Sequence, residues 1–340
     1  MTNQQKDKTN RESKKCHPSY GPSAYNSQHI TPQDRPVPQG LLQSLRTKGQ
    51  MFHFRRSTPI ISTAAVSHNT PSQWVQIDDY ITNQHGESGW DEQRLEQDSF
   101  SSWTQIYMIL SAIGKVCCQF ILPLVIVVFL TMPLYDDRTN LIQAMEALST
   151  VLLYVFLPLA LLWGQAELVE RGYFTPWFLK AKKQFSLSRQ TGMVTLYKGS
   201  GKPRFSHPFI EFDCILVSAP SPQGLMNYAL YLVHRYNGYA QGIPLHSFMP
   251  SNQSVSEYQA LWNMIQRYMD TSQPMPDILI LEAARERDPI TAQYDAEGKR
   301  NHPNNYWRSM TDETFTDIIQ TIRQKQQQTP AMNTPIDIFK

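Results

Sequence analysis

The sequence lacks the motifs that identify most catalytic mechanisms. It contains no phosphate-binding glycine loop, no nucleophile elbow and no HExxH zinc motif. Its 4 cysteines are too few for a disulfide framework, and their spacing does not match a zinc site. The sequence therefore predicts no cofactor and indicates no particular reaction.

A strong net charge is also missing. The formal net charge is +2 over 340 residues, so the chain as a whole gives no argument for binding nucleic acid. No apolar segment occurs in roughly the first hundred residues, and no cleavable signal peptide is predicted. The mean hydropathy of -0.42 indicates that the chain outside its apolar segments is strongly polar.

Two long apolar segments stand out against this background. Residues 116–134 contain only two clearly polar side chains, and residues 144–164 contain a single acid near their start. About 20 such residues in a helix cross the ~30 Å hydrocarbon core of a bilayer. The sequence therefore predicts an integral membrane protein with transmembrane helices over 103–134 and 144–164 and the lipid bilayer as a partner.

The connection between the apolar segments is short. Only residues 135–143 separate them, so the sequence predicts an antiparallel hairpin with both flanks on one side of the membrane. The connection carries one basic residue, Arg138, whereas four basic residues lie within about 20 residues after the second segment. The positive-inside rule then predicts that both termini are cytoplasmic.

Several side chains are predicted to lie at the membrane interface. Aromatic rings prefer the headgroup region, and a lysine can run its aliphatic stem along a helix to reach it. This set comprises Trp103, Lys115, Tyr135, Trp163, Trp177, Lys180, Lys182 and Lys183. Two alternatives stay open: a functional charge at Lys115, and packing of residues 173–183 against the domain that follows.

Each apolar segment contains an interior proline, Pro123 and Pro158. A proline removes one backbone hydrogen bond of the helix, so each segment is predicted to be kinked. Counted from the cytoplasmic ends of the segments, both prolines lie about 10 Å deep. A shared polar pocket or a hinge is the alternative interpretation of this matched depth.

Outside the hairpin, the composition predicts four regions. Residues 1–73 are rich in polar residues and proline and are predicted to be a disordered tail, with 74–102 as a juxtamembrane segment. Residues 173–272 alternate apolar and polar side chains and then follow helical spacing from Val255 to Met269. The predicted fold class is therefore α+β, an antiparallel β-meander capped by an amphipathic helix, pleckstrin-like by analogy, with 273–340 as a carboxy-terminal extension.

Two groups of side chains are candidate sites. His207, Glu211 and Asp213, with His234 and His246 beside the following turn, suit a metal or acid–base cluster. Edge-strand polar residues are the favoured alternative, since no second ligand motif is recognisable. The candidate binding residues of the extension are Arg285, Arg287, Asp288, Tyr306, Trp307 and Arg308. A salt-bridged loop is the favoured alternative for these.

Short motifs around the hairpin carry a resemblance. The pattern Phe185-x-x-x-Arg189-x-x-x-x-Val194-x-x-Tyr197, with Asp288-Pro289-Ile290-Thr291 and Tyr306-Trp307-Arg308 downstream, resembles a family of uncharacterised bacterial membrane proteins. Some members are encoded near type VI secretion toxin and immunity loci. The resemblance covers roughly residues 106–324 and implies a bacterial inner-membrane protein, with no catalytic residue to transfer.

Three functional hypotheses follow. The first is a non-enzymatic protein whose cytoplasmic domain binds a partner protein, as an accessory or immunity factor of a secretion system. The second is a membrane-anchored enzyme that uses His207, Glu211 or Asp213. The third is a subunit of an oligomeric transport assembly, since two helices per chain line a path only when several copies combine.

Overall fold

The structure, a computed structural model, describes most of the chain. The described residues are 20–35, 49–75, 89–135, 140–174, 176, 179, 182–199, 201–220, 224–251, 254–327 and 333–340. They divide into two units, one comprising residues 98–182 and the other combining residues 1–97 with 183–340. The first is called the hairpin unit below, and the second the α+β unit.

The described residues contain eight α-helices and eight strands. The strands are β1 Gln50–Phe52, β2 Arg94–Ser99, β3 Lys182–Ser188, β4 Met193–Tyr197, β5 Pro203–Pro208, β6 Phe212–Pro220, β7 Met226–His234 and β8 Ile243–Pro244. The helices are α1 Thr63–Val66, α2 Ser102–Val116, α3 Leu122–Tyr135, α4 Leu141–Val151, α5 Leu157–Glu170, α6 Val255–Met269, α7 Pro289–Ala296 and α8 Asp312–Gln327.

The hairpin unit consists of two continuous helices. They span Trp103–Pro133 and Leu141–Glu170, 31 and 30 residues, and both are long and apolar enough to cross a membrane. Only 6% and 11% of their most apolar windows are buried. A soluble core helix of this composition buries its apolar surface, whereas these helices expose theirs. The prediction of two helices with the length and composition of membrane spans is confirmed.

A wide turn precedes each interior proline. The π-helical turns Cys117–Ile121 and Leu152–Phe156 each end two residues before a proline. Proline lacks an N–H and its ring collides with the carbonyl four residues earlier, so a wider turn relieves the collision without breaking the helix. The sequence predicts a kink at each of these prolines, and the structure shows a π-helical turn before each one.

The two prolines do not lie at the same depth. A Cβ atom on Gly114 would lie 2.7 Å from the carbonyl oxygen of Leu159, so the two helices approach closely there. Pro158 adjoins this contact, whereas Pro123 lies nine residues beyond it, about 13 Å along the axis. The prediction of matched depth is therefore wrong, because the helices extend beyond the apolar segments and the Gly114 contact sets their register.

The α+β unit contains two antiparallel four-stranded sheets. Their strand orders are β1-β6-β7-β8 and β2-β3-β4-β5. The predicted antiparallel pairing is confirmed for β3 and β4, with Phe185 opposite Leu196 and Leu187 opposite Val194. The fold class is α+β as predicted, but two sheets replace the single meander because β1 and β2 come from before the hairpin unit.

The amino-terminal flank is part of this core. Tyr25, Phe52, Phe54 and Ile61 are buried in it, so the prediction of a disordered tail over 1–73 is wrong for residues 20–35 and 49–73. The apolar side chains of the flank are sparse, but those named here pack into a core that the rest of the chain builds. The average composition of the flank does not reveal this burial. Residues 1–19 and 36–48 lie outside the described residues.

Helix α6 explains why the carboxy-terminal region also belongs to the unit. Most of its side chains are buried, polar ones included. The Asn263 amide hydrogen-bonds the backbone of Thr58 and Ile60, and Gln266 accepts a hydrogen bond from the backbone N–H of Arg55. A helix buried on all sides needs cover from several directions. The predicted boundary at residue 272 is therefore wrong, and residues after it, such as Met275 and Leu281, lie in the same core.

Candidate functional site

Strand pairing brings three titratable side chains together at one end of the sheets. His207 lies near the end of β5, and Glu211 follows in the short 3-10 turn Phe209–Glu211. β6 then pairs with β7, so that Phe212 lies opposite His234. The ligating atoms of His207, Glu211 and His234 all lie within 4.8 Å of one another. We refer to these residues together with Tyr239 as the His–Glu cluster.

One carboxylate oxygen lies between the two imidazoles. Glu211 Oε2 is 3.0 Å from His234 Nε2 and 3.6 Å from His207 Nδ1. On the far side of its ring, His207 Nε2 is 2.7 Å from the hydroxyl of Tyr239. The cluster therefore forms a chain in the order Tyr239, His207, Glu211, His234.

Backbone geometry fixes the tautomer of His234. Its Nδ1 accepts hydrogen bonds from the backbone N–H groups of Tyr236 and Asn237, at 3.2 and 3.0 Å. The ring proton of the neutral imidazole must then sit on Nε2, where it is donated to Glu211. Burial lowers the pKa of His234, although Glu211 acts in the opposite direction. His234 is therefore a neutral donor near pH 7.

This tautomer bears on metal binding. Two imidazoles and one carboxylate are a ligand set that zinc or iron(II) accepts. A metal ion on His234 Nε2 would have to replace the ring proton, while Nδ1 faces two backbone N–H groups and cannot take that proton up. The residue types fit a metal ion. The hydrogen bonds around His234 instead favour a direct hydrogen bond from its Nε2 to the carboxylate of Glu211.

Asp213 and His246 do not join the cluster. The Asp213 carboxylate is buried and accepts hydrogen bonds from the Arg235 guanidinium at 3.0 and 2.9 Å. The predicted grouping of Asp213 with Glu211 is therefore wrong, because Glu211 lies in the turn before β6 and not in the strand. His246 Nδ1 lies 3.2 Å from the carbonyl oxygen of Leu230.

A buried ion pair that the sequence did not reveal lies at the centre of the α+β unit. Arg189 and Asp288 form two hydrogen bonds of 2.9 and 3.2 Å with both side chains almost fully buried. Arg189 also donates to carbonyls after α6, including those of Asp270 and Gln273. Both residues belong to the motifs of the family resemblance, which is the only signal in the sequence that sets them apart. Their contacts are those of a structural centre.

The remaining candidate binding residues lie mostly in buried contacts. Arg285 pairs with Asp295 at 2.7 Å. The buried Glu282 accepts the backbone N–H groups of Trp307 and Arg308, and Tyr306 stacks on His302 at 4.0 Å. Arg287 is more than half exposed and pairs with Glu92 at 2.8 Å. These contacts agree with the salt-bridged interpretation, and binding by Arg287 stays a prediction.

The predicted interface residues are distributed along the hairpin unit and its flanks. Trp103 is strongly exposed at the start of the first helix, and Lys115 follows twelve residues later, about 18 Å along the axis. Trp163 adjoins Gly114, and Lys183 pairs with Glu96 at 2.7 Å. Lys182 begins β3, Tyr135 ends α3, and Trp177 and Lys180 lie outside the described residues.

Comparison of the chain with protein-family models, with curated proteins and with solved structures finds no match. A functional proposal therefore rests on the fold and on the His–Glu cluster alone.

The α+β unit is expected to lose stability as the pH falls from about 7 to about 5. Folding holds His234 neutral with a lowered pKa, whereas the unfolded chain takes up a proton near its ordinary value of about 6.5. The maximum slope is about 1.4 kcal/mol per pH unit for one proton. His234→Asn keeps an acceptor for the backbone N–H groups but does not titrate, so its unfolding free energy should fall less over this range. Unfolding free energies are measured by denaturant titration. An equal fall in both proteins would contradict the assignment of a lowered pKa to His234.

Proposed function

We propose that this protein is a non-enzymatic membrane protein whose hairpin anchors an α+β unit that binds a partner protein in the cytoplasm. The main supporting observation is that β2, which precedes the hairpin, joins the same sheet as β3, which follows it. The backbone N–H of Arg189 donates to Gln93 O at 2.8 Å across this junction. One folded unit built from both flanks requires both flanks on the same side of the bilayer, which supports the hairpin topology.

The charges near the helices support the cytoplasmic side. Arg171, Lys180, Lys182 and Lys183 follow the second helix, and the connection between the helices contains Arg138 alone. The family resemblance adds the bacterial inner membrane and an accessory or immunity role in a secretion system to this proposal. Along the chain, the strands of the α+β unit are followed by helix α6, and this order supports the pleckstrin-like analogy.

Binding is favoured over catalysis because the buried charges have structural partners. Arg189, Arg235 and Arg285 are each paired with a carboxylate inside the unit. Buried charges at an active site are instead aimed at a cavity where a substrate reacts. A folded unit of this kind, held at the membrane, suits the presentation of a surface to another protein.

The test is purification of the tagged full-length protein from native membranes under mild detergent. A partner that co-purifies in both directions, with either protein tagged, supports the proposal. The control is the hairpin unit expressed with the α+β unit replaced by an unrelated soluble domain. If no protein is enriched over this control, the proposed function is wrong.

The topology gives a labelling prediction. Cysteines at the exposed positions Gln28 and Ser247, in a cysteine-free background, should resist a membrane-impermeant thiol reagent in intact cells and react after lysis. A cysteine at Thr139, between the helices, should react in intact cells, because the sparse basic charge of the connection favours its translocation. Labelling of Gln28 and Ser247 from opposite sides would exclude the hairpin.

A membrane-anchored enzyme is the second candidate, favoured by the His–Glu cluster. The order hydroxyl, imidazole, carboxylate is that of an activated nucleophile with its base and orienting group. The combined replacement His207→Gln, Glu211→Gln and Tyr239→Phe should then abolish the cellular phenotype that the intact gene restores to a deletion strain. The control is Arg204→Gln, which alters an exposed residue of the same strand. An unchanged phenotype in the triple variant excludes this candidate.

A further inference from the structure

The last described residues of the chain lie along the edge of a sheet. β1 is the outermost described strand of its sheet, and the chain continues from it through Phe54 and Arg55. Residues 333–340, called the tail below, run antiparallel to this continuation, with Pro335 paired with Arg55. The tail thus adds to the sheet edge in the way that a bound peptide does.

Backbone hydrogen bonds and two apolar side chains hold the tail. The N–H of Ile336 donates to the carbonyl of Phe54 at 2.9 Å, and the carbonyl of Ile338 accepts from the N–H of Gln33 at 2.8 Å. Ile338 is buried and Ile336 is partly buried against the core, whereas Asp337 between them is exposed. This alternation is the pattern by which an added strand is recognised.

The tail covers only part of the available edge. A cleft of about 670 Å³ lies between residues Met51–Phe54, which form the end of β1 and its continuation, and the tail residues Pro335–Phe339. Arg35 and Asp213 complete its lining. The tail pairs beyond the end of β1, at Phe54 and Arg55, and the cleft runs beside β1 itself. Within the described part of the chain, the edge therefore has room for a longer extended segment than the tail.

The charge around the cleft favours an acidic ligand. Arg35 lines it, and the guanidinium of Arg55 donates a hydrogen bond to the carbonyl of Asn333 in the tail. The guanidinium of Arg235 lies 5.3 Å from the centre of the Phe339 ring, where it can hold an aromatic side chain. Two acids also line the cleft: Asp213 is already paired with Arg235, and Asp337 belongs to the tail itself.

We propose that the edge of β1 and the adjoining cleft form a peptide-binding groove, in which an extended partner segment with alternating aliphatic residues and an acid takes the place of the tail. This inference rests on the proposed function and names the kind of partner segment. The tail acts as a tethered competitor, since a tethered segment has an effective concentration near the millimolar range. A partner must therefore displace the tail before it pairs with the edge.

The test uses the full chain in detergent micelles and a fluorescent synthetic peptide with the sequence of residues 333–340. The substitution Ile338→Asp places a charge at the buried position and should release the tail. We expect the peptide to bind this variant at least tenfold more tightly than it binds the intact chain. The matched control Thr334→Asp adds the same charge at an exposed tail position and should behave like the intact chain.

Two outcomes of this experiment overturn the proposal. One is the absence of peptide binding to an Ile338→Asp variant that keeps the thermal unfolding midpoint of the intact chain. The other is equal binding to all three proteins. A peptide that itself carries Ile338→Asp should not bind, and its binding to the released groove counts equally against the proposal.

A second pair of variants covers the case in which Ile338→Asp does not fold. The double substitution Arg55→Cys with Pro335→Cys, in a cysteine-free background, joins residues that are paired across the edge, and oxidation should lock the tail in place. At high concentration the peptide should bind the reduced form and not the oxidised form. Equal binding to both forms contradicts the proposal.

The locked protein also separates this inference from the proposed function. If the proposed function is wrong, neither form captures a partner from native membranes. If only the groove is wrong, the locked and reduced forms capture the same partner equally. Capture by the reduced form alone supports both.

Discussion

Replacing Arg189 with alanine is expected to destabilise the α+β unit by about 3–5 kcal/mol. The substitution leaves the carboxylate of Asp288 buried without its counter-charge, and it removes the donors to the carbonyls of Asp270 and Gln273. Burial by itself raises the pKa of Asp288, but Arg189 and the hydrogen bonds to the carboxylate hold it below its usual value. Without Arg189, the carboxylate must be protonated or the structure must open.

The matched control is Arg287→Ala. Arg287 also pairs with a carboxylate, that of Glu92, but its side chain is more than half exposed. Exposed ion pairs contribute about 0–1 kcal/mol, so this variant should unfold close to the parent. Denaturant titration of both purified variants measures the difference, and similar midpoints would mean that the buried pair has no special role.

The dependence of stability on acidic pH gives a second test of the role of Arg189. A carboxylate with a lowered folded pKa stabilises the fold above its unfolded pKa of about 3.9 and loses that contribution as the pH falls further. Asp288 and Asp277 are both in this class. Their loss therefore lies below about pH 4 and is separate from the loss of His234 stabilisation near pH 6. The Arg189→Ala variant should lack the Asp288 part of the lower transition.

The sequence predicted the elements whose physical signal is local. The apolar helices of the hairpin, the alternation in β3 and β4, and the helical spacing of α6 are each contained in one stretch of chain. The Arg189–Asp288 pair has no such signal, since its members lie 99 residues apart and their burial depends on the whole fold. The His–Glu cluster is intermediate: His207 and Glu211 are visible as neighbours, but His234 joins them only through the pairing of β6 with β7.

The amino-terminal flank shows most clearly where composition fails. Phe52 and Phe54 lie in a largely polar region, and both are almost fully buried. The ring centroids of Phe54 and Trp262 lie 5.4 Å apart. The burial of both phenylalanines is stabilised by apolar surface that the chain supplies more than 200 residues later. The patch 51–56 therefore contributes Phe52 and Phe54 to the core of its own unit.

The start of α6 gives a second example. Ser254 and Glu257 have the spacing of a capping box, but Ser254 makes no side-chain capping hydrogen bond to that helix. Glu257 instead accepts hydrogen bonds from Ser62, Thr63 and the backbone N–H of Ala64. The carboxylate therefore accepts one of the first N–H groups of α1, a helix nearly 200 residues earlier in the chain. The local spacing suggests a cap on α6, whereas the structure pairs Glu257 with a distant helix.

Gly192→Ala is expected to destabilise the α+β unit by about 2–5 kcal/mol. Gly192 lies in the β3–β4 turn with φ +70, where an L-residue is strained. An added Cβ would also lie 2.1 Å from the carbonyl oxygen of Ser23 and 2.8 Å from Cα of Ala24. Both neighbours are backbone atoms, so the collision is relieved only if the segment around Ser23 moves away.

Gly201→Ala separates the two contributions. Gly201 has nearly the same backbone angle, φ +78, but nothing lies within 4 Å of an added Cβ. It should therefore show only the conformational cost of about 1–2 kcal/mol, and the excess in Gly192→Ala measures the collision. Hydrogen exchange should locate that excess at residues 20–35, because the Gly21 N–H donates to Gln190 beside the turn and the Ser27 N–H donates to Asp270. Equal destabilisation by the two substitutions, with protection retained at Gly21 and Ser27, would show that this flank does not pack against the turn.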